Sequence, residues 1–214
     1  ADAGPLPPHP RGPAMTPPSR PSAILDARRH DATTGAPSFT LRHRLKRAAF
    51  GFAWLVLARW TPPAMRGWRN LLLRLFGAKL HPTANIYAST SIWYPPNLVM
   101  GPYATIGPRV VCYCMEMITI GERAVVSQGA HLCTGSHEID DDSFQLFALP
   151  IEISKEAWIA ADAFVGPGVR IGEGAVLGAR GVTVKDLDAW TVYAGNPARA
   201  LRKRGKLAHA EIRN

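Results

Sequence analysis

Bulky residues recur every six positions along this chain, and Ile153, Ile159, Val165, Ile171, Leu177 and Thr183 form one unbroken series. Met100, Ile106 and Cys112 form an earlier series at the same interval, and Ile120, Val126 and Leu132 another. Gly or Ala often follows directly, as at Gly101, Gly107, Gly121, Ala160, Gly166, Gly172 and Gly178. Four places on stands a small residue, as at Ala104, Ala124, Ala130, Ala157, Ala163, Ala175 and Gly181. A period of six with one bulky and one small inward position specifies a hexapeptide parallel β-helix, whose short flat strands each turn one large side chain inward. A sandwich would show period-two stretches and loops of varied length instead. Ile92 to Met100 and Cys112 to Ile120 are each eight apart, so two extra residues are expected at each of those corners.

The rhythm breaks once. Leu132 to Ile153 spans 21 positions, three hexapeptides plus three residues, and the aliphatic register lapses there. The segment opens "LCTGSHEIDDD", with His137 followed by a run of acids. A loop projecting from a rigid scaffold is a natural place for function, and an imidazole can serve there as a general base. Glu138, Asp140, Asp141 or a backbone carbonyl are the candidates for fixing its tautomer. His131 precedes the inward Leu132 and so points outward, as a solvated or interface residue.

The net charge of +9 is unevenly spread. Residues 1–80 carry 13 Lys/Arg against 3 Asp/Glu, residues 81–194 carry 6 against 12, and residues 195–214 carry 6 against 1. An acidic repeat region argues against a nucleic-acid groove, which needs clustered basic side chains. The three cysteines, Cys112, Cys114 and Cys133, show no CxxC or zinc-ligand spacing and read as free, buried or half-buried thiols.

The proline-rich residues 1–38 read as a disordered tail without a secretory signal. From there the period becomes helical: Leu41, Leu45, Ala48, Phe52 and Leu55 share one face, with Ser38 or Thr40 as cap and Pro62-Pro63 as stop. A second helix is expected from Ala64 to Phe76, with Met65, Trp68, Leu72 and Leu75 on one side. The apolar run Ala48–Ala58 is eleven residues, against about 20 for a membrane span. The chain thus divides into a tail over 1–38, an amphipathic helical segment over 39–80, a β-helix over 81–194 with a loop at 133–150, and a basic end over 195–214.

The repeats, "CTGSHE", "WIAADAFVGPGVRIGEGAVLGARGVTVKDL" and "AGNPARALRKR" resemble the hexapeptide-repeat acyltransferases. The likeness extends to "LRHRLKRAAFGFAWLVLARWTPPAMRGWRNLLLRLFGAKL" and is nearest the sugar O-acetyltransferases of exopolysaccharide assembly, the colanic acid acetyltransferase type. It covers about residues 39–205. The resemblance implies a mainly β fold, a left-handed parallel β-helix that trimerises, with acetyl-CoA in the groove between neighbours. It implies His137 as the general base for a sugar hydroxyl. It also implies Ala161 and Ala179 as close-approach positions for the pantetheine arm, and basic residues for the phosphates, Lys185 and Arg199 first, with Arg202 and Lys203 also available. Relatives carry an asparagine near the histidine, and counting back from "ITIG" puts Cys114 there, leaving a second catalytic group unassigned.

Zinc hydration enzymes share this scaffold but need three converging histidines. Only His131 and His137 lie in the repeat run, so no metal is expected. A non-catalytic β-helix would have uninterrupted coils. The nearer competitor is N-acetylation of an amino sugar. The implied partners are acetyl-CoA, a sugar or lipid-linked sugar, and two further copies of the chain. The expected location is cytoplasmic; the helical segment either caps the β-helix or makes peripheral contact with the inner face of the cytoplasmic membrane.

Overall fold

The computed structural model describes residues 39–140 and 144–205; the 1–38 tail, Asp141 and the end of the basic C-terminal segment lie outside the described residues. Two helices open the described chain: α1 (Leu41–Leu57), capped by the Thr40 hydroxyl accepting from His43 N–H, and α2 (Arg66–Leu75).

A coiled path follows. β1 (Lys79–Leu80), β2 (Asn85–Ile86) and β3 (Ser91–Ile92) make the first coil. β4 (Leu98–Met100), β5 (Thr105–Ile106) and β6 (Val111–Tyr113) make the second, and β7 (Ile118–Ile120), β8 (Val125–Val126) and β9 (His131–Cys133) the third. A hairpin, β10 (Gly135–His137) with β11 (Leu146–Ala148), then departs from the coil. The path resumes with β12 (Ile151–Ile153), β13 (Trp158–Ile159) and β14 (Phe164–Val165), then β15 (Arg170–Ile171), β16 (Val176–Leu177) and β17 (Val182–Thr183). β18 (Thr191–Ala194) and the antiparallel β19 (Arg199–Lys203) end it. Strands three apart in sequence stack in parallel, giving three sheets that begin at β1, β2 and β3 and wall a prism. They are called here the first, second and third sheets.

The six-residue register holds. Ile106, Cys112, Ile120, Val126, Leu132, Ile153, Ile159, Val165, Ile171 and Leu177 are all fully buried. Small residues fill the corners between them, and Ala104, Ala124, Ala130 and Ala163 have no exposed surface. The glycines that follow the inward residues are needed for proximity. A Cβ on Gly121 would lie 2.6 Å from the Lys155 nitrogen, and one on Gly172 2.5 Å from that of Ala189.

Pairing distances locate the irregularities. Val99 stacks on Thr119, Thr119 on Glu152 and Glu152 on Arg170, so successive coils advance by 20, 33 and then 18 residues. Eighteen is three hexapeptides. The excess always falls at the corner joining the third sheet to the first: at Trp93–Asn97, at Tyr113–Met117, and at the hairpin. The two expected insertions are therefore present. The 21-position gap is a single corner carrying one hairpin excursion, not three hexapeptides that have lost their register.

The helices close the open edge of the first coil. Carbonyls there have no strand below them, and buried backbone groups must be paired. Leu80 O accepts from Arg74 (3.1 Å), Ala84 O from Asn70 (2.7 Å), Ile86 O from Arg69 (2.7 Å) and Ala88 O from Trp54 (3.2 Å). The stripe Leu41, Leu45, Phe52 and Leu55 shares one face as its period implies, and that face points outward, while His43, Phe50 and Trp54 are buried. α1 is apolar on two opposite faces, and the aromatic one wins because its rings meet Trp93, Tyr94 and Phe76. In α2, Leu72 and Leu73 are buried, while Trp68, Leu75 and the preceding Met65 are exposed. Among the described residues no helix is long and apolar enough to cross a membrane.

His43 lies among the rings of Phe39, Trp93 and Tyr94, and neither ring nitrogen has a hydrogen-bond partner among the described residues. Burial, then Arg47 and Lys46, lower its pKa below the usual imidazole value. With the folded pKa the lower one, the unfolded chain takes up the proton first, so α1 docking weakens as pH falls below about 6.5. His43→Leu is expected to reduce the drop in thermal midpoint between about pH 7.5 and pH 5.5. An undiminished drop would show that His43 does not carry it.

Candidate active site

The hairpin leaves the coil at a fixed root. Thr134 has no exposed surface; its hydroxyl donates to Tyr113 O (2.8 Å) and accepts from Glu116 N–H (3.0 Å). Leu149 N–H donates to Thr134 O (2.9 Å) and closes the neck. Within the hairpin, His137 pairs with Leu146, and Glu138 N–H donates to Gln145 O (2.8 Å).

His137 is half-exposed at the end of β10. Its Nδ1 lies 2.8 Å from Phe144 O, and its ring stacks on the Phe144 ring, centroids 4.2 Å apart and 12° from parallel. A carbonyl can only accept, so Nδ1 carries the proton and Nε2 keeps its lone pair. The tautomer is thus set by a backbone carbonyl. Glu138 and Asp140 are exposed and make no contact with the ring among the described residues, and Asp141 lies outside them. Sequence reasoning missed Thr134 and Phe144, because neither falls on the six-residue register.

Cys114 is not in this site, a correction to the position inferred by counting from "ITIG". It is fully buried at the second bulged corner, its thiol donating to Tyr94 O and accepting from Tyr94 N–H, both at 3.3 Å. Burial pushes its pKa up to about 11, so it remains a protonated structural thiol. Cys112 is buried likewise, and Cys133 is half-buried with its thiol on Gly135 O (3.2 Å).

The remaining candidates separate by corner. Ala161 and Ala179 stack one above the other where the second sheet turns into the third, with Arg180 N–H donating to Ala161 O (2.8 Å). Arg199 is exposed on the same corner: it pairs with Ala194, and its neighbour Ala198 donates to Val182 O. Lys185 is exposed after β17, on the corner that carries the hairpin. Lys203 is held by Thr191 (2.9 Å), while Arg202 is exposed. One chain therefore joins His137 with Lys185, and Ala161 with Ala179 and Arg199, but not the two groups with each other.

Below the hairpin, on the same side, Trp93, Tyr113 and Cys133 occupy equivalent places in the first three coils. Arg47 lies 3.9 Å over the Trp93 ring, which meets Tyr113 edge-on at 5.6 Å. A groove of about 460 Å³ opens there between α1 and β3, lined by Arg44, Arg47, Phe50, Ser91 and Trp93 among others. Among the described residues no three or more His, Cys, Asp or Glu side chains gather as a ligand set for a metal ion.

No family model matches the chain. A hexapeptide-repeat-containing acetyltransferase of Vibrio cholerae O1 biovar eltor, solved in complex with acetyl coenzyme A, superposes with a TM-score of 0.69 at 25% identity, over 78% of this chain and 91% of that one. The chain is also 46% identical over 145 residues to the "Putative colanic acid biosynthesis acetyltransferase WcaF" of Escherichia coli K12, covering 68% of this chain and 80% of that protein. The chain belongs to the hexapeptide-repeat acetyltransferases. A maltose O-acetyltransferase from Clostridium difficile 630 shares the fold at a TM-score of 0.69 and 23% identity, over 78% and 90% of the two chains. The coil of this acetyltransferase is the left-handed parallel β-helix that the family resemblance implies.

Proposed function

We propose that this acetyltransferase moves an acetyl group from acetyl-CoA to a sugar hydroxyl in exopolysaccharide assembly, with His137 as general base. The observation that carries the reading is the Nδ1 contact with Phe144 O, which leaves Nε2 free on a rigidly rooted loop. Nε2 takes the proton from the acceptor hydroxyl as its oxygen bonds to the acetyl carbonyl carbon. The carbon–sulfur bond breaks, and the imidazolium returns the proton to the departing thiolate. Acetyl-CoA supplies the activated thioester. The acceptor is read as a sugar or lipid-linked sugar. The relative named for colanic acid biosynthesis supports that class, as do the outward rings of Trp93 and Tyr113 beneath the hairpin.

The site is proposed to form between subunits of a homotrimer. The split of candidates between two corners supports this, since a cyclic neighbour can bring its Ala161–Ala179 corner to the His137 hairpin. Small side chains there leave room for the pantetheine arm, and Lys185 and Arg199 are available for phosphates. Purified protein given acetyl-CoA and a panel of sugars and lipid-linked sugars tests the activity itself, and transfer to none of them would sink it. The shared site is tested by mixing. His137→Ala and Ala179→Trp homotrimers are each expected to be inactive, and co-folded mixtures to regain activity, because some interfaces pair an intact histidine with an intact groove. Mixtures as inactive as their parents, or an active monomer in sedimentation, would refute a shared site.

A further inference from the structure

We propose that the outward faces of α1 and α2 form a docking surface for an anionic phospholipid bilayer, an interaction beyond acetyl transfer and independent of it. α1 buries His43, Phe50 and Trp54, and the opposite side exposes Leu41, Leu45, Phe52, Leu55 and Val56. Phe52 is 71% exposed. α2 repeats the arrangement: Arg69, Leu72 and Leu73 face the coil, while Trp68, Leu71 and Leu75 face out. The two stripes join, because Trp68 Nε1 donates to Leu57 O (2.7 Å) and Leu75 shares a groove wall with Ala49 and Phe76. An apolar helix face is normally buried, yet of the two apolar faces of α1 the coil covers only one.

Charge selects the occupant. No Asp or Glu occurs between Asp31 and Glu116, while residues 39–80 hold nine Lys or Arg. Arg69 is spent on backbone carbonyls and Arg47 on Trp93. Arg42, Arg44, Lys46, Arg59 and Arg66 border the apolar stripe, exposed and without a carboxylate partner among the described residues. A second copy would present the same positive charge and be repelled. A bilayer with anionic headgroups complements both features, apolar side chains entering the acyl boundary and cations meeting phosphates. Trp60 and Trp68 suit that depth, because their ring N–H groups are already bonded to Val56 O and Leu57 O, both at 2.7 Å. The helices also cap the first coil, and Trp93 packs against the His43 side of α1, across the helix from the docking surface. His137 is two coils higher, on the order of 10 Å at the spacing of stacked strands.

Deleting the helices would uncover the open edge of the coil, so point variants of the full chain are the test. Flotation with phosphatidylglycerol–phosphatidylcholine vesicles is compared with flotation on phosphatidylcholine alone, at low and high salt. The full chain is expected to float with the anionic vesicles at low salt, to be released by salt, and to ignore the neutral ones. Phe52→Glu with Leu55→Glu changes only exposed side chains, so circular dichroism and thermal midpoint should be unchanged. Its partition onto anionic vesicles should fall by roughly two orders of magnitude. The proposal is overturned if the full chain never floats, or if the double variant floats equally well. It is also overturned if the substitutions merely dissociate a larger assembly in sedimentation without vesicles, which would make another copy the occupant.

Discussion

His137→Ala is expected to lower acetyl transfer by about 10²- to 10⁴-fold, the usual effect of losing a general base, while coenzyme binding and thermal midpoint stay near those of the parent. Folding should be spared because the hairpin is held elsewhere. Thr134 anchors its root on Tyr113 O and Glu116 N–H, and three cross-strand pairs between β10 and β11 hold its arms. The imidazole contributes one hydrogen bond, to Phe144 O, and one stacking contact. Phe144→Ala is the informative companion. It removes the ring but keeps the carbonyl that sets the tautomer, so it should cost far less than His137→Ala. Its effect should fall on kcat through looser positioning rather than on the KM for acetyl-CoA. Turnover by His137→Ala within a few fold of the parent would remove the histidine from the chemistry. So would a loss explained by a collapsed thermal midpoint, unless coenzyme binding also survived.

The six-residue period was legible because one steric rule repeats at every rung. Ile120, Val126 and Leu132 face inward for the same reason as Ile159, Val165 and Ile171, and all are fully buried. The corners were legible in position, but not in cause. Glycine after the inward residue is demanded by the backbone of the next coil, as at Gly121 against Lys155. The left-handed corner conformation falls largely on other residues, including Tyr103, Arg109, Arg123, Asp162 and Arg180. Those residues look like ordinary surface positions in sequence. The hairpin was visible as lost register, and His137 as its polar centre. The orienting partner was not, because a backbone carbonyl has no letter, and the nearby acids Glu138 and Asp140 were more conspicuous. In the helices the apolar face was legible, but not the direction in which it points. A period of three to four identifies an apolar face, but α1 has two, and only the rings of Trp93, Tyr94 and Phe76 decide which one packs.

Arg69 is where sequence and structure disagree most, and its removal should have the largest effect on stability. In sequence it is one of nine Lys or Arg side chains that make residues 39–80 basic. In the fold it is 1% exposed and meets no carboxylate among the described residues. Its Nε donates to Ile86 O (2.7 Å), and one terminal nitrogen donates to Thr61 Oγ1 (3.0 Å) and Pro62 O (2.8 Å). The other terminal nitrogen donates to Pro63 O (3.0 Å). The guanidinium fork thus ties the turn between α1 and α2 to the open edge of the first coil. Burial lowers its pKa from the ordinary arginine value, and a guanidinium stays protonated in a folded protein. Hydrogen bonds from a charged donor contribute about 1.5–3 kcal/mol each, and an orphaned buried acceptor costs about 1–3 kcal/mol. These are not additive. Arg69→Ala, which also leaves a cavity, is therefore expected to cost on the order of 3 kcal/mol or more. Arg69→Lys should recover little of it, because an ammonium cannot span the same acceptors in one plane. The loss should be local at first. Hydrogen exchange should quicken over residues 41–75, while β7, β12 and β15 keep their protection, since the coils are paired to one another independently of the helices. An unchanged denaturation midpoint in Arg69→Ala would contradict the clamp, and equal loss of protection in all coils would show that the first coil cannot stand without its helical cap.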